Sequence, residues 1–145
     1  MTKEELKEYC DDELKSIEKV ISELFTIFSP EKSEYSLAER AAIATFIANV
    51  YSGIENILKQ ILMFDNLNVK DSATWHEELL KKAAELAILP RDLYQIFTRY
   101  LVFRNSLVHT YIFNIKLEEL KVLASAIKDI IEKFKSEVDE YIQTI

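Results

Sequence analysis

The chain has 145 residues, a single-domain length, and 49% of them are hydrophobic, so it can bury a sizeable core. One glycine and two prolines are too few for the frequent tight turns of a β-sandwich or barrel. The lone Gly53 also excludes a glycine-rich phosphate-binding loop. We therefore expect a single all-α domain over residues 1–145.

The number of cysteines and the length of the apolar stretches indicate the cellular compartment of the protein. The single cysteine, Cys10, excludes an internal disulfide. The N-terminus has no apolar signal region, and the longest apolar stretch, residues 41–51, contains Thr45 and Asn49. That stretch is too short and too polar to span a bilayer. These features predict a soluble, cytoplasmic protein that makes no membrane contact.

The first two of five helices are predicted from apolar residues at helical spacing. The first begins at a capping box of Thr2 and Glu5. The second begins at a similar box of Ser36 and Glu39 and stops in the polar stretch Asp65-Asn66-Leu67-Asn68. Each is long enough to form one side of a helical bundle.

The remaining three helices have their own start signals. The third starts at Thr74, with Glu77 three residues on, and Pro90 can occupy the first turn of the fourth. Asn114 is a plausible cap for the fifth. Long helices joined by short connections pack as antiparallel neighbours, so we predict a five-helix antiparallel, up-and-down bundle.

The charge is unevenly distributed. The net charge of −7 argues against a general nucleic-acid binder, whose affinity rests on neutralising phosphates. Residues 89–116, however, hold three of the four arginines and carry a net charge of +3. A basic segment within an acidic chain is compatible with a focused anion site.

Metal sites are not expected. His76-Glu77-Glu78-Leu79-Leu80 begins like a zinc-protease helix, but Leu80 stands where the second histidine would be needed. One cysteine and two histidines are too few for a typical soft-metal site, and no cofactor is indicated. We interpret His76 as a surface or cap-region residue without a chemical role. The acidic cluster in residues 4–13 is interpreted as a solvated helix face.

Three aromatic residues, Phe97, Tyr100 and Phe103, lie three apart in the fourth helix. They could stack on nucleic-acid bases. At helical spacing, however, a place in the core or in a dimer interface is the better interpretation.

The segment from Arg104 to Tyr111 carries the candidate chemistry. It places the cation Arg104, the amide Asn105, the imidazole His109 and the phenol Tyr111 within two turns. A structural alternative pairs Arg104 with a carboxylate and leaves His109 near the negative end of the helix dipole. On the residues alone, both interpretations stay open.

Helix geometry constrains how these residues could meet. On a straight helix, positions 104 and 109 diverge by about 140°, whereas positions 104 and 111 nearly share a stripe. Arg104 and His109 can therefore converge on one phosphate in two ways. Either the helix breaks near His109, or two copies of the segment meet across a two-fold axis.

The arrangement of Arg104, four residues, His109, one residue and Tyr111 resembles the signature of HEPN domains. More narrowly, it resembles the HepT-like ribonuclease toxins of HEPN/MNT toxin–antitoxin systems. The second and third helices resemble these proteins more loosely, in Tyr51-Ser52-Gly53-Ile54-Glu55-Asn56-Ile57-Leu58-Lys59 and Trp75-His76-Glu77-Glu78-Leu79-Leu80.

The resemblance implies a metal-independent endoribonuclease of a type II/VII-like toxin–antitoxin pair, cleaving RNA at a homodimer cleft. It implies Arg104 and His109 as the catalytic pair and Asn105 as a supporting polar residue. It also implies a cognate MNT-type nucleotidyltransferase antitoxin that can transfer AMP to Tyr111.

The residue types suit that chemistry. Histidine exchanges protons near neutral pH, and arginine can bind two phosphoryl oxygens. Two other classes of function remain open: a non-catalytic HEPN subunit that binds nucleotide or substrate for a nucleotidyltransferase, and a purely structural helical protein.

Overall fold

The computed structural model describes residues 1–67 and 73–145, and the described residues form five α-helices and a 3-10 turn, with no strand among them. Of the residues that the structure describes, 81% are helical, which confirms the all-α bundle. The helices are α1 (Lys3–Ile27), α2 (Leu37–Phe64), α3 (Trp75–Glu85), α4 (Arg91–His109) and α5 (Leu117–Thr144).

The starts of α1 and α2 follow the predicted capping boxes. The Thr2 hydroxyl accepts from the backbone N–H of Glu5 at 3.1 Å, and the Ser36 hydroxyl accepts from that of Glu39 at 3.1 Å. Both glutamate side chains accept in return from the cap backbone. α2 ends at Phe64, next to the predicted polar stretch, whose last residue, Asn68, lies outside the described residues.

The later helix starts were predicted less well. α3 follows Thr74 and α4 follows Pro90, close to the expected positions. The prediction that Asn114 caps α5 was wrong, because Asn114 is the last residue of the 3-10 turn and α5 begins after Lys116. The buried Ile115 lies between the turn and the helix, and it anchors this connection in the core before α5 starts.

The long helices alternate in direction along the chain. Because residue numbers rise along one helix as they fall along its partner, α1 is antiparallel to both α2 and α5, and α4 is antiparallel to α5. The contacts are Met1–Gln60 and Glu13–Asn56 for α1/α2, Lys3–Gln143 and Glu18–Lys135 for α1/α5, and Asp92–Lys133 and Tyr100–Leu123 for α4/α5.

α2 is the central helix and packs against each of the other four. It is the one helix among the described residues that is long and apolar enough to cross a membrane, but 56% of the relevant window is buried inside the protein. A place at the centre of the bundle accounts for that apolar character. Glu55 on α2 is the only buried charged residue in the described parts of the chain.

The aromatic residues of α4 lie in the core. Phe97, Tyr100 and Phe103 are almost fully buried, and the Tyr100 hydroxyl donates to the carbonyl of Leu123 at 2.7 Å. Base stacking by these three residues is therefore excluded, and the core interpretation is confirmed. The acidic cluster of α1 lies along the exposed and half-exposed side of that helix, as expected of a solvated face.

Candidate functional site

The side chain of Arg104 extends from α4 towards α2. Its Nη1 atom donates to Oε1 of Glu55 at 2.8 Å and to the hydroxyl of Ser52 at 3.1 Å. The guanidinium also lies over the ring of Tyr51, 4.9 Å from its centroid. These contacts hold a side chain that is still 16% exposed, so the cation is fixed at the edge of the core.

Glu55 is the acceptor at the centre of this site. Tyr51 and Ser52 lie four and three residues before it on α2, so all three share one helix face. The carboxylate is only 5% exposed. A buried carboxylate is costly unless it is paired, and the ion pair with Arg104 offsets that cost.

His76, in the first turn of α3, is the third member of the cluster. Its Nδ1 atom lies 3.0 Å from each carboxylate oxygen of Glu55 and 3.0 Å from Nη2 of Arg104. The imidazole packs on the neighbouring indole of Trp75, with the ring centroids 3.6 Å apart, and its side chain is 28% exposed. His76 lies in the cap region, as predicted, and there it contacts Glu55 and Arg104.

Tyr51 lies against the guanidinium of Arg104, on the buried side of the cluster. Its ring is fully buried, and burial together with the nearby carboxylate of Glu55 raises the pKa of its phenol. Its hydroxyl has no hydrogen-bond partner in the described part of the chain. Glu55 thus has two groups within hydrogen-bonding distance, the guanidinium of Arg104 and the imidazole of His76.

His109 is the last residue of α4 and is exposed. The helix therefore ends at the position where the sequence allowed a break. The imidazole lies at the negative end of the helix dipole. That break does not join His109 to Arg104, since the described partners of Arg104 are Ser52, Glu55 and His76. Within one chain the two predicted catalytic residues remain on different sides of α4.

Tyr111 lies beyond the end of α4 in extended backbone, so the expectation that it shares a stripe with Arg104 was wrong. Its side chain is 72% exposed and stacks on Phe113, with ring centroids 5.4 Å apart and planes 4° apart. Asn105 is exposed and makes no side-chain hydrogen bond among the described residues.

An exposed face of α4 carries His109 together with apolar surface. Val102, Ser106 and His109 are four and three residues apart and therefore lie on one stripe. Val102 is 63% exposed. Beside this stripe, a groove of about 290 Å³ runs between α4 and α5; its lining residues are Ile96, Arg99, Tyr100, Val122, Leu123, Ala126, Asp129 and Ile130.

Fold and site together define an all-α bundle in which a buried carboxylate holds an arginine of the same helix that ends at an exposed histidine. A family model for HepT-like proteins matches residues 42–145, and the chain belongs to the HepT-like family. The matched region contains the Glu55–His76–Arg104 cluster as well as His109 and Tyr111. No curated protein and no solved structure matches the chain significantly.

Two of the three cluster residues were missed by the sequence argument. Glu55 and His76 both lie in segments, residues 51–59 and 75–80, that resemble the family outside the main motif. The second signal was that Glu55 stands next to the apolar residues Ile54 and Ile57 on the central helix, because a charged residue needs a partner when it is buried.

Proposed function

We propose that this protein is a HEPN-type, metal-independent endoribonuclease that acts in the cytoplasm as the toxin of a toxin–antitoxin pair. The observation that carries the proposal is the placement of Arg104. One amino group of its guanidinium is anchored to Glu55, and the side chain remains partly exposed on the helix that ends at His109. Membership of the HepT-like family supports the same class of activity.

The reaction needs no metal ion if the RNA supplies its own nucleophile. The 2′-oxygen bonds to the adjacent phosphorus as its proton passes to a histidine, and the P–O5′ bond breaks as the 5′-oxygen takes up a proton. His109 can perform either transfer, and Arg104 stabilises the charge on the phosphoryl oxygens. One imidazole does not readily perform both transfers in one step, so a second copy of His109 is required.

A homodimer supplies that second copy. Because His109 and Val102 share the exposed stripe of α4, burying the apolar surface around Val102 against a second chain would bring the two His109 residues to one interface. The α4/α5 groove beside the stripe enlarges the apolar surface available for this contact. The RNA would lie in the cleft between the two copies.

The antitoxin in this proposal is an MNT-type nucleotidyltransferase that modifies Tyr111. All seven tyrosines lie among the described residues, and Tyr111 is the only one that is exposed. Its phenol oxygen attacks the α-phosphorus of ATP and pyrophosphate leaves, so each transfer adds about 329 Da. The added phosphodiester, close in sequence to His109, repels RNA.

The first experiment measures RNA cleavage in the presence of a metal chelator for the wild type, Arg104→Ala and His109→Ala. We expect the wild type to cleave and both variants to lose activity. Arg91→Ala is the matched control, because it removes an exposed arginine from the other end of α4. Equal cleavage by all four proteins would contradict the proposal.

A second experiment tests the modification of Tyr111. Co-expression with a neighbouring nucleotidyltransferase gene should add about 329 Da per transfer to the intact protein, and Tyr111→Phe should abolish the increase. Tyr94→Phe is the control, since that tyrosine is only partly exposed. An unchanged mass for the wild type contradicts the antitoxin part of the proposal and leaves the ribonuclease part to the first experiment.

The alternative function is a non-catalytic subunit that binds nucleotide for a nucleotidyltransferase. It is favoured by one observation: within the chain, Arg104 is bonded to Glu55 and not to His109. Tight nucleotide binding that depends on Arg104, without RNA cleavage, would support it. A purely structural role predicts that Arg104→Ala changes neither binding nor cleavage.

A further inference from the structure

In the cluster of Glu55, His76 and Arg104, one ring nitrogen of His76 lies close to both a hydrogen-bond acceptor and a hydrogen-bond donor. Nδ1 of His76 is 3.0 Å from both carboxylate oxygens of Glu55 and 3.0 Å from Nη2 of Arg104. A carboxylate only accepts hydrogen bonds and a guanidinium only donates them. A single ring nitrogen carries either a proton or a lone pair, so Nδ1 can satisfy only one of these two neighbours.

The surroundings favour a proton on Nδ1. A lone pair there would face both negatively charged oxygens of a buried carboxylate at 3.0 Å, where little solvent screens the repulsion. With a proton on Nδ1, His76 donates to Glu55, which is the usual arrangement for a histidine beside a carboxylate. The contact with Nη2 of Arg104 is then between two donors.

The two amino groups of Arg104 are consequently unequal. Nη1 has acceptors in Glu55 and Ser52. Nη2 has His76 as its hydrogen-bonding neighbour in the described part of the chain, and a protonated Nδ1 offers it no lone pair. The guanidinium, whose side chain is 16% exposed, therefore keeps a donor without an internal acceptor at the edge of the core.

We propose that Glu55 and His76 are the positioning residues of Arg104. Glu55 anchors Nη1, and His76, by donating Nδ1–H to Glu55, leaves Nη2 without an internal acceptor until a phosphoryl oxygen of the substrate provides one. The inference rests on the proposed ribonuclease function for the identity of the substrate. The arrangement of the three side chains can be tested without any catalysis.

The proton on His76 is observed directly by NMR of the full-length protein labelled with ¹⁵N-histidine. Long-range ¹H–¹⁵N spectra distinguish a proton on Nδ1 from one on Nε2. We expect His76 to carry a proton on Nδ1 in the wild type and to lose this preference in Glu55→Gln, with Glu77→Gln as the control. A wild-type His76 that is protonated on Nε2 alone overturns the proposal, whether or not the protein cleaves RNA.

Two substitutions at His76 separate positioning from general packing. In His76→Asn the amide nitrogen can take the place of Nδ1 and keep the hydrogen bond to Glu55, whereas in His76→Gln it takes the place of Nε2. We expect kcat of His76→Asn to stay within about threefold of the wild type and that of His76→Gln to fall at least about tenfold, with smaller changes in KM.

The outcomes separate the competing roles of His76. Equal losses in the Asn and Gln variants contradict positioning through Nδ1. If His76→Asn loses one limb of the pH–rate profile, the positioning role is also overturned. His76 would then be donating or accepting a proton in the cleavage reaction. If the wild type cleaves no RNA, affinity for a 2′-O-methyl RNA oligomer replaces kcat, with the same order expected: wild type and Asn above Gln.

Discussion

Nη1 of Arg104 lies 2.8 Å from Oε1 of Glu55, and the two side chains are 16% and 5% exposed. They come from α4 and α2, 49 positions apart in the sequence. The ion pair therefore links the helix that carries the family motif to the central helix of the bundle. Removing either partner leaves the other charge largely buried and uncompensated.

A double-mutant cycle should reveal this coupling. We expect Glu55→Gln to lower the free energy of unfolding by about 2–3 kcal/mol, less than for a fully buried pair because the guanidinium retains some exposure. Arg104→Met should be similarly destabilising. In the double variant the loss should be smaller than the sum by about 1–3 kcal/mol, measured by urea denaturation. Additive losses would show that the pair contributes nothing specific.

This pair also shows what the sequence could not provide. Helix starts, such as the capping boxes at Thr2 and Ser36, depend on residues three apart and were predicted well. The partners of Arg104 depend on how α2, α3 and α4 pack, and helical periodicity does not encode that packing. The α5 cap was missed for a related reason, because Ile115 is held by the core before the helix begins.

The arrangement of the motif residues could not be predicted because the sequence did not show where α4 ends. The expected stripe of Arg104 and Tyr111 assumed that the helix continued past His109, and the structure ends it there. The four motif residues were singled out by their chemistry and spacing, and their predicted roles came from the resemblance to HEPN domains. Their three-dimensional arrangement required knowledge of where hydrogen bonding in α4 stops.

Gly53 marks a close approach of α1 and α2. A Cβ atom at this position would lie 2.6 Å from Cγ1 and 2.9 Å from Cδ1 of Ile17. Gly53→Ala gains about 1 kcal/mol of helix propensity but overpacks the core by about 1–3 kcal/mol, so we expect a net loss of about 1 kcal/mol in thermal or urea unfolding. Adding Ile17→Ala should remove the overpacking, so the double variant should lose less stability than the sum of the losses in the two single variants. A loss equal to that sum would refute the explanation.

Alkaline pH should destabilise the protein through buried groups that resist ionisation. Burial raises the pKa of the Cys10 thiol to about 12. The folded state thus keeps a proton that the unfolded chain releases above about pH 8.5, so the contribution of Cys10 is complete below that pH and is lost as the pH rises towards 12. We expect the slope to approach about 1.4 kcal/mol per pH unit for this group.

The measurement is the free energy of unfolding in urea at pH 7, 9 and 10. Cys10→Ala serves as the matched control, because it removes the thiol from the same buried position. Its stability should fall less steeply between pH 9 and 10 than that of the wild type. Identical slopes would mean that the thiol ionises as readily in the folded protein as in the unfolded chain.

Val102 tests the proposed dimer face. A lysine at this exposed position on the His109 stripe would place a charge in an apolar interface, so we expect Val102→Lys to be monomeric in analytical ultracentrifugation and to lose RNA cleavage. Met63→Lys is the control, because it replaces another exposed hydrophobic residue at the C-terminal end of α2. A dimeric, active Val102→Lys protein would place the interface elsewhere.

Mixing the wild type with His109→Ala tests whether the cleft uses the histidines of both chains. After random exchange of equal amounts, about a quarter of the dimers are wild type, about half are mixed and about a quarter lack both histidines. If cleavage needs both copies of His109, only the wild-type dimers are active. The rate should then fall to about a quarter of that of the same total amount of wild-type protein.

The control is the same mixture measured before the subunits exchange, which should keep about half of the wild-type rate. A rate that stays at about half or above after exchange, with mixed dimers demonstrated by mass spectrometry, would mean that one His109 is enough for each cleavage. The second histidine would then have no part in the reaction, and the partner chain would have to contribute in another way.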